Sequence, residues 1–321
     1  MISRFLYFDN GGVGIGKEEL PPLQDDQILV ETTRTLISVG TEMYSLKGGG
    51  KARLGYSNVG RIIEAGAAVS DLQVGDRVVT LAAHADYYTH RTQACYKIPD
   101  GVSDEAASFT VLGAVALHIV ERAKIALGRP VIVVGQGTVG QLVQQLARLA
   151  GAGWVIAVDL DTERRSLACE LGADAAIPPS NDALEEALEQ TTPGTIAPAF
   201  IDVSGSTKAI EWIFEVARLR SRIVISGSYH GAVTMEPMSV VTRELDIVGT
   251  HQPKCPDIPG LFYPYSKLFN YNYILDQINR NRIHVGKLCD GLLLPEDTIA
   301  FYEALRKGER SLWQPIIRWA E

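Results

Sequence analysis

The stretch VIVVGQGTVG, residues 131–140, constrains this chain more than any other. Gly135, Gly137 and Gly140 stand in it as G-x-G-x-x-G. They follow an apolar run and open VGQLVQQLARLAG, where Val139, Leu142, Val143, Leu146 and Leu149 share one helical face. A second apolar run, WVIAVD, ends in Asp159, 19 positions after Gly140. Strand, tight turn, amphipathic helix and second strand make a βαβ unit, which demands a parallel sheet. Each glycine has its own task. Gly135 permits the turn, Gly137 leaves room for a pyrophosphate, and Gly140 lets helix and strand approach closely.

The start of that helix presents unpaired N–H groups and a positive dipole end to phosphates. Asp159 can accept both hydroxyls of a ribose and would repel a 2′-phosphate, so the expected cofactor is NAD(H) rather than NADP(H). Gln136, Thr138, Leu160 and Arg164 complete this half of the site. Arg164 and Arg165 either soften the preference or lie on a solvated helix face. The competing reading of the motif is a glycine-rich turn that binds nothing.

Strand and helix patterns alternate from about residue 112 to 252. The strands are VIVVG, WVIAVD, AAI, AFIDVSG, RIVISG and LDIVGT. Ligands sit beyond the carboxyl ends of such strands, so Val203, Ser204, Gly227, Ser228, Thr250 and His251 are expected at the cofactor. His230 is expected at the substrate, or simply satisfies a loop backbone group, as does His251. Residues 1–111 read as β-rich, with QILVETTRTL, VGRIIEAG and GDRVVTLAA as strands. After Pro253, a Pro-, Tyr- and Asn-rich loop leads into a helix, PEDTIAFYEALRKGER forms a second helix, and WQPIIRWA a last strand. The expected domains are therefore 1–111 with 253–321, and 112–252. KGGGKAR, 47–53, lacks the Ser or Thr of a phosphate loop and reads as a loop at a cleft edge.

Composition narrows the partners. The 321 residues carry a net charge of −8, which disfavours nucleic acid and anionic membrane surfaces. No apolar run reaches membrane-spanning length, and MISRFLYFDN carries no secretion signal. Cys95, Cys169, Cys255 and Cys289 form no C-x-x-C, and reduced thiols in a cytoplasmic protein are expected.

The whole chain resembles the medium-chain dehydrogenase/reductase superfamily, the relatives of zinc alcohol dehydrogenases. The matching landmarks are GTE at 40–42, LGYSNVGRIIEAG at 54–66, VGDRV at 74–78 and VIVVGQGTVG…VDLDTERRSLACELGAD. The resemblance implies a split GroES-like β-rich catalytic domain, a doubly wound parallel Rossmann sheet of α/β class, and a homodimer. In zinc-bearing relatives three ligands stand where this chain has Val39, Tyr56 and Val111. Valine has no lone pair to give, and neutral tyrosine binds zinc poorly. The resemblance therefore implies a zinc-less branch, similar to bacteriochlorophyllide 3-hydroxyethyl dehydrogenases and to sugar- or cyclitol-acting relatives in biosynthesis. No catalytic metal is expected.

Without zinc, hydroxyl donors must polarise the reacting oxygen. Thr41 matches a proton-relaying hydroxyl of the zinc relatives. Tyr56 is a donor or, with a lowered pKa, a base. Glu42 matches an acid that supports the metal-binding histidine, and here orients Tyr56 or pairs with a cation such as Arg61. Ser38 and Ser57 extend the relay. In the bland readings Tyr56 plugs the old metal cavity and Thr41 caps a turn. His84, His90 and Tyr87 are expected to line the substrate cleft. Tyr87, Tyr88, Tyr263, Tyr265 and Tyr271 form either a polar aromatic wall or plain packing. Three functions remain open: a zinc-independent secondary-alcohol dehydrogenase acting on a small molecule, a quinone or enoyl reductase, and a non-catalytic NAD(H)-binding protein.

Overall fold

The computed structural model describes residues 1–321 except 11, 48, 192–196, 252–254, 261–264, 310, 311 and 321. The chain begins with strands β1 (Ile2–Asp9), β2 (Gly12–Glu19) and β3 (Gln27–Leu36), then helix α1 (Val39–Lys47). Strands β4 (Ala52–Arg53), β5 (Asn58–Ala65), β6 (Arg77–Thr80), β7 (Tyr87–Arg91) and β8 (Cys95–Lys97) follow. Helices α2 (Asp104–Ser108) and α3 (Thr110–Ala123) lead to β9 (Pro130–Val134), α4 (Thr138–Leu149), β10 (Trp154–Val158) and α5 (Thr162–Glu170). Next come β11 (Ala175–Ile177), α6 (Asn181–Thr191), β12 (Ala199–Asp202), α7 (Thr207–Val216), β13 (Arg222–Ile225), α8 (Pro237–Thr242) and β14 (Asp246–Gly249). Helix α9 (Lys267–Asn279), β15 (Gly291–Leu293), α10 (Thr298–Arg306) and β16 (Pro315–Arg318) close the chain.

Two compact units result: Met1–Leu112 with Tyr271–Glu321, and Gly113–Asn270. The second break falls inside α9, between Asn270 and Tyr271. Pro253, where the sequence suggested a boundary, lies outside the described residues.

The first unit holds a sheet of order β2-β1-β4 and a larger sheet of order β15-β16-β3-β5-β6-β8, with β7 on β3. Its strands are antiparallel except for the β15–β16 pair. The N-terminal hairpin is absent from the sequence expectation, although its Asp9-Asn10 corner carries turn chemistry. Leu6, Phe8, Ile37, Leu54, Phe301, Tyr302 and Ile317 make one core, so β1 and α10 pack together from opposite ends of the chain. The segment Val39–Glu42, expected as a turn, opens α1 instead.

The second unit is one six-stranded parallel sheet, order β11-β10-β9-β12-β13-β14. All five residues of β9 are buried, as a parallel strand covered on both faces requires. Ile132, Val134, Ile156, Val158, Phe200, Ile213 and Ile223 form its core. Each such side chain contributes roughly 1.5–3 kcal/mol on burial. The order reverses at β9: β10 lies on one side of it and β12 on the other. That reversal opens a crevice at the strands' carboxyl ends.

Candidate active site

In the nucleotide unit the glycine turn is built from backbone constraints. Gly135 has φ +94°, and a Cβ there would lie 2.7 Å from Ser204 Cα. A Cβ on Gly140 would lie 1.8 Å from the Gly135 carbonyl oxygen, so no other residue fits. Gly137 caps α4 without a side-chain bond, and a Cβ there would meet nothing within 4 Å. Internal packing therefore does not require glycine there, and the space beside it is open to a ligand. The Gln136 N–H donates to Asp159 Oδ2 at 2.6 Å, and the Asp161 N–H donates to Oδ1 at 2.9 Å. Thr250 Oγ1 is buried with no hydrogen-bond partner among the described residues. An open helix start, a carboxylate held at the end of β10 and an orphaned hydroxyl at the end of β14 together fit a dinucleotide.

Other expected contacts fall out differently. Gln136 turns its amide inward to the Val133 carbonyl at 2.8 Å, leaving only its backbone for the site. Thr138 is buried and Val139 half-buried in the first turn of α4. Leu160 is 83% exposed. Arg164 lies 3.9 Å from Asp159. Arg165 donates to the carbonyls of Asp159 and Leu160 at 2.8 and 2.9 Å, so it braces the loop instead of facing solvent alone. Buried Gln141 and Gln144, which the sequence analysis passed over, donate to the carbonyls of Arg164 and Ala168 at 2.9 and 3.2 Å and tie α5 to α4. Val203 bonds the carbonyl of Val134 at 2.9 Å, which seats the loop after β12 beside the glycine turn. Gly227 and Ser228 follow β13, while His230 and His251 are exposed loop residues. Gln252 of the GTHQP segment lies outside the described residues.

In the first unit a chain of hydroxyls runs inward from α1. Thr41 is exposed, and its Oγ1 lies 3.3 Å from the Tyr56 hydroxyl. The Tyr56 hydroxyl donates to Ser38 Oγ at 2.5 Å. The Ser38 N–H donates to Glu42 Oε1 at 2.7 Å, and the Tyr302 hydroxyl donates to Oε2. His84 Nε2 stands 3.4 Å from that second oxygen, an ion-pair distance rather than a well-formed hydrogen bond. Burial pushes the Glu42 carboxyl up, but the neighbouring His84, the Tyr302 hydroxyl and the Ser38 N–H outweigh it and hold it below the carboxylate range. Burial, with the Glu42 charge behind it, raises the Tyr56 phenol. That direction keeps the phenol protonated and runs against the lowered pKa that a tyrosine base would need.

Several placements correct the sequence reading. His84 is 0% exposed and lies under Gly55, whose φ is +86° and whose Cβ would sit 2.5 Å from the imidazole. It therefore cannot line a substrate cleft. Glu42 pairs with His84 and Tyr302, not with Tyr56 or Arg61, and Arg61 donates instead to the Gly75 carbonyl at 2.8 Å. Ser57 turns away to the Ser108 carbonyl at 2.6 Å. Tyr87 donates to Glu31 at 2.8 Å. His90 Nδ1 sits 2.9 Å from its neighbour's carbonyl. Tyr88 and Tyr271 are core residues, the latter stacked on Tyr96 at 4.3 Å. Tyr265 belongs to the other unit, and Tyr263 lies outside the described residues. Tyr302 was missed entirely: nothing near it in the sequence signals a partner 260 positions away.

The three positions expected as ligand sites offer zinc no donor set. Val39 packs on the apolar core, Val111 is 2% exposed, and the Tyr56 hydroxyl is committed to Ser38. Among the described residues no group of three or more His, Cys, Asp or Glu could hold a metal ion.

Residues 138–265 match the family described as zinc-binding dehydrogenase. The chain is 27% identical over 291 residues to a probable D-xylulose reductase A of Aspergillus niger, covering 80% of this chain and 78% of that one. It is 24% identical to a sorbitol dehydrogenase of Bombyx mori, covering 83% and 90%. Along most of its length the chain is thus similar to polyol and sugar dehydrogenases, and over residues 138–265 to the zinc-binding dehydrogenase family. Its fold matches 2R,3R-butanediol dehydrogenase from Bacillus subtilis with a TM-score of 0.83 at 21% identity, over 98% of this chain and 99% of that one. Solved dehydrogenases of the same fold carry either nicotinamide cofactor. One from Escherichia coli CFT073 is complexed with NADH (TM-score 0.82, 18% identity, 99% of each chain). One from Sinorhizobium meliloti 1021 is bound to NADP (0.80, 21%, 99% of each).

Proposed function

We propose that this dehydrogenase relative is a zinc-independent, NAD(H)-dependent oxidoreductase that interconverts a secondary alcohol and a ketone. The substrate class is a polyol, sugar, cyclitol or similar biosynthetic intermediate; the relatives named for xylulose and sorbitol support the polyol and sugar part of it. The observation that carries the zinc-free mechanism is the Thr41–Tyr56–Ser38 hydroxyl chain, whose Tyr56 stands where zinc relatives keep a ligand and which rests on the buried Glu42.

When bound, the nicotinamide takes or supplies the hydride. Gly135, Gly137 and Gly140 with Thr138 and Val139 would hold its pyrophosphate at the start of α4, and Asp159 the adenosine ribose. Leu160 and Arg164 border that ribose. Val203, Ser204, Gly227, Ser228, Thr250 and His251 would receive the other half. Ser38 and His230 remain proposed substrate contacts.

The residues of the first unit handle the proton. In ketone reduction the Tyr56 O–H turns from Ser38 Oγ to donate to the carbonyl oxygen as that oxygen gains charge, and Thr41 restores the phenol's proton. In alcohol oxidation the substrate proton passes to Tyr56 Oη while the phenol's own proton leaves through Thr41. Thr41 is exposed, so the proton reaches solvent. Ser38 holds the phenol in line at 2.5 Å, and Glu42 fixes Ser38 through its N–H.

A homodimer through β14 completes the proposal. That strand is the edge of the parallel sheet, and Met238, Val241 and Ile247 near it are 58%, 65% and 37% exposed. A cytoplasmic location fits the four free cysteines. No described helix is long and apolar enough to cross a membrane.

The test is a panel of secondary alcohols, sugars and cyclitols with NAD⁺ and NADP⁺, followed by nicotinamide absorbance on metal-assayed protein. We expect turnover without bound zinc, and loss of it in Thr41→Ala and Tyr56→Phe. Unchanged rates in both variants would favour hydride addition to an activated C=C. Stoichiometric zinc would remove the proposal.

A further inference from the structure

One buried acid–phenol pair has no part in the chemistry above. Asp202, the last residue of β12, is 0% exposed. Its Oδ2 accepts from the Tyr229 hydroxyl at 2.6 Å, and its Oδ1 accepts from the Ser204 N–H at 3.0 Å. The Tyr229 oxygen in turn accepts from the Gly227 N–H at 2.8 Å. The loop after β12 and the loop after β13 are thereby stapled to each other. They are also in contact: a Cβ on Gly227 would lie 2.6 Å from the Gly205 nitrogen, and one on Gly205, at φ +72°, 3.0 Å from the Ser228 oxygen. The first loop touches the glycine turn, since Gly135 abuts Ser204. Burial raises the Asp202 carboxyl despite its bonds to Tyr229 and Ser204, and burial beside that carboxylate raises the Tyr229 phenol. The proton between them is therefore retained across neutral pH.

The sheet order says which half of a dinucleotide this pair serves. Asp159 ends β10 and Asp202 precedes the loop of β12, and these strands flank β9 on opposite sides. A dinucleotide laid across the crevice with its adenosine ribose at Asp159 has its other half over β12 and β13. We propose that Asp202 and Tyr229 are positioning residues that lock the two loops receiving the nicotinamide half, and so set affinity for that half alone.

This rests on the nucleotide reading, and binding measurements separate the two. Wild type and Tyr229→Phe are titrated with NADH and with ADP-ribose, which lacks the nicotinamide. We expect NADH binding to weaken about tenfold or more in the variant while ADP-ribose stays within twofold. Asp202→Asn, close in shape, is expected to show the same split and serves if Tyr229→Phe does not fold. Equal weakening for both ligands, no weakening for either, or failure of both variants to fold would overturn the lock. A wild type that binds neither ligand would remove the nucleotide reading itself.

Discussion

The two sites are made in opposite ways. The nucleotide turn comes from a run of six residues, Gly135 to Gly140, plus one acid a helix and a strand later. Its chemistry is backbone N–H groups and space, and its constraints are steric. The hydroxyl site draws on Ser38, Thr41, Gly55, Tyr56, His84 and Tyr302, which only long-range packing brings together. Its chemistry is side-chain oxygen over a buried charge. A local, backbone-built site tolerates almost no change at its glycines. A site assembled from side chains should lose function by degrees, one partner at a time.

The sharpest break of this contrast is Gly140→Val. Because a Cβ there already meets a backbone oxygen at 1.8 Å, we expect NADH binding to be abolished, read by calorimetry, with the first unit's stability retained. Glu42→Ala comes next. It leaves His84 and Tyr302 buried without their partner and should cost about 3–5 kcal/mol in denaturant unfolding. Tyr56→Phe keeps the ring and removes the proton donor. We expect kcat to fall about 100-fold with NADH affinity unchanged, and an equal loss of NADH affinity would show that the two sites are not separable in this way.

Acid titration gives a smaller effect. The folded Glu42 carboxyl titrates below its ordinary value of 4.5. Its stabilisation is therefore full above that value and is lost as pH falls through the lower folded value. Glu42→Gln should flatten the acid limb of a stability-versus-pH curve, and an unchanged limb would assign it to other carboxylates. The smallest change is Asp159→Ser, which should erode a preference for NAD⁺ over NADP⁺ by about tenfold, since it removes the repulsion of a 2′-phosphate.

The parallel sheet and its order of helices were legible because burial on both faces writes near-continuous apolar runs such as PVIVV and AFID into the chain. Thr41, Tyr56 and Ser38 were nameable for the opposite reason, their position within landmarks of a resembled family. The readings that failed share one cause. His84 looked like a cleft residue because it flanks ADYYT on a segment expected to line the cleft. Its burial depends on Gly55 from one segment and Glu42 from another. The Asp202–Tyr229 pair spans 27 positions, and its local sequence, DVSGS and SGSYHG, reads only as turn chemistry.

Periodicity and glycine spacing, being properties of neighbouring residues, were enough to establish a βαβ unit, its parallel sheet and the acid that follows its second strand. Which hydroxyls align, which carboxylate lies beneath them and which histidine is sealed from solvent depend on contacts between residues as far apart as Glu42 and Tyr302. Such contacts leave no local pattern, because a hydrogen bond constrains two atoms in space and nothing in the chain between them.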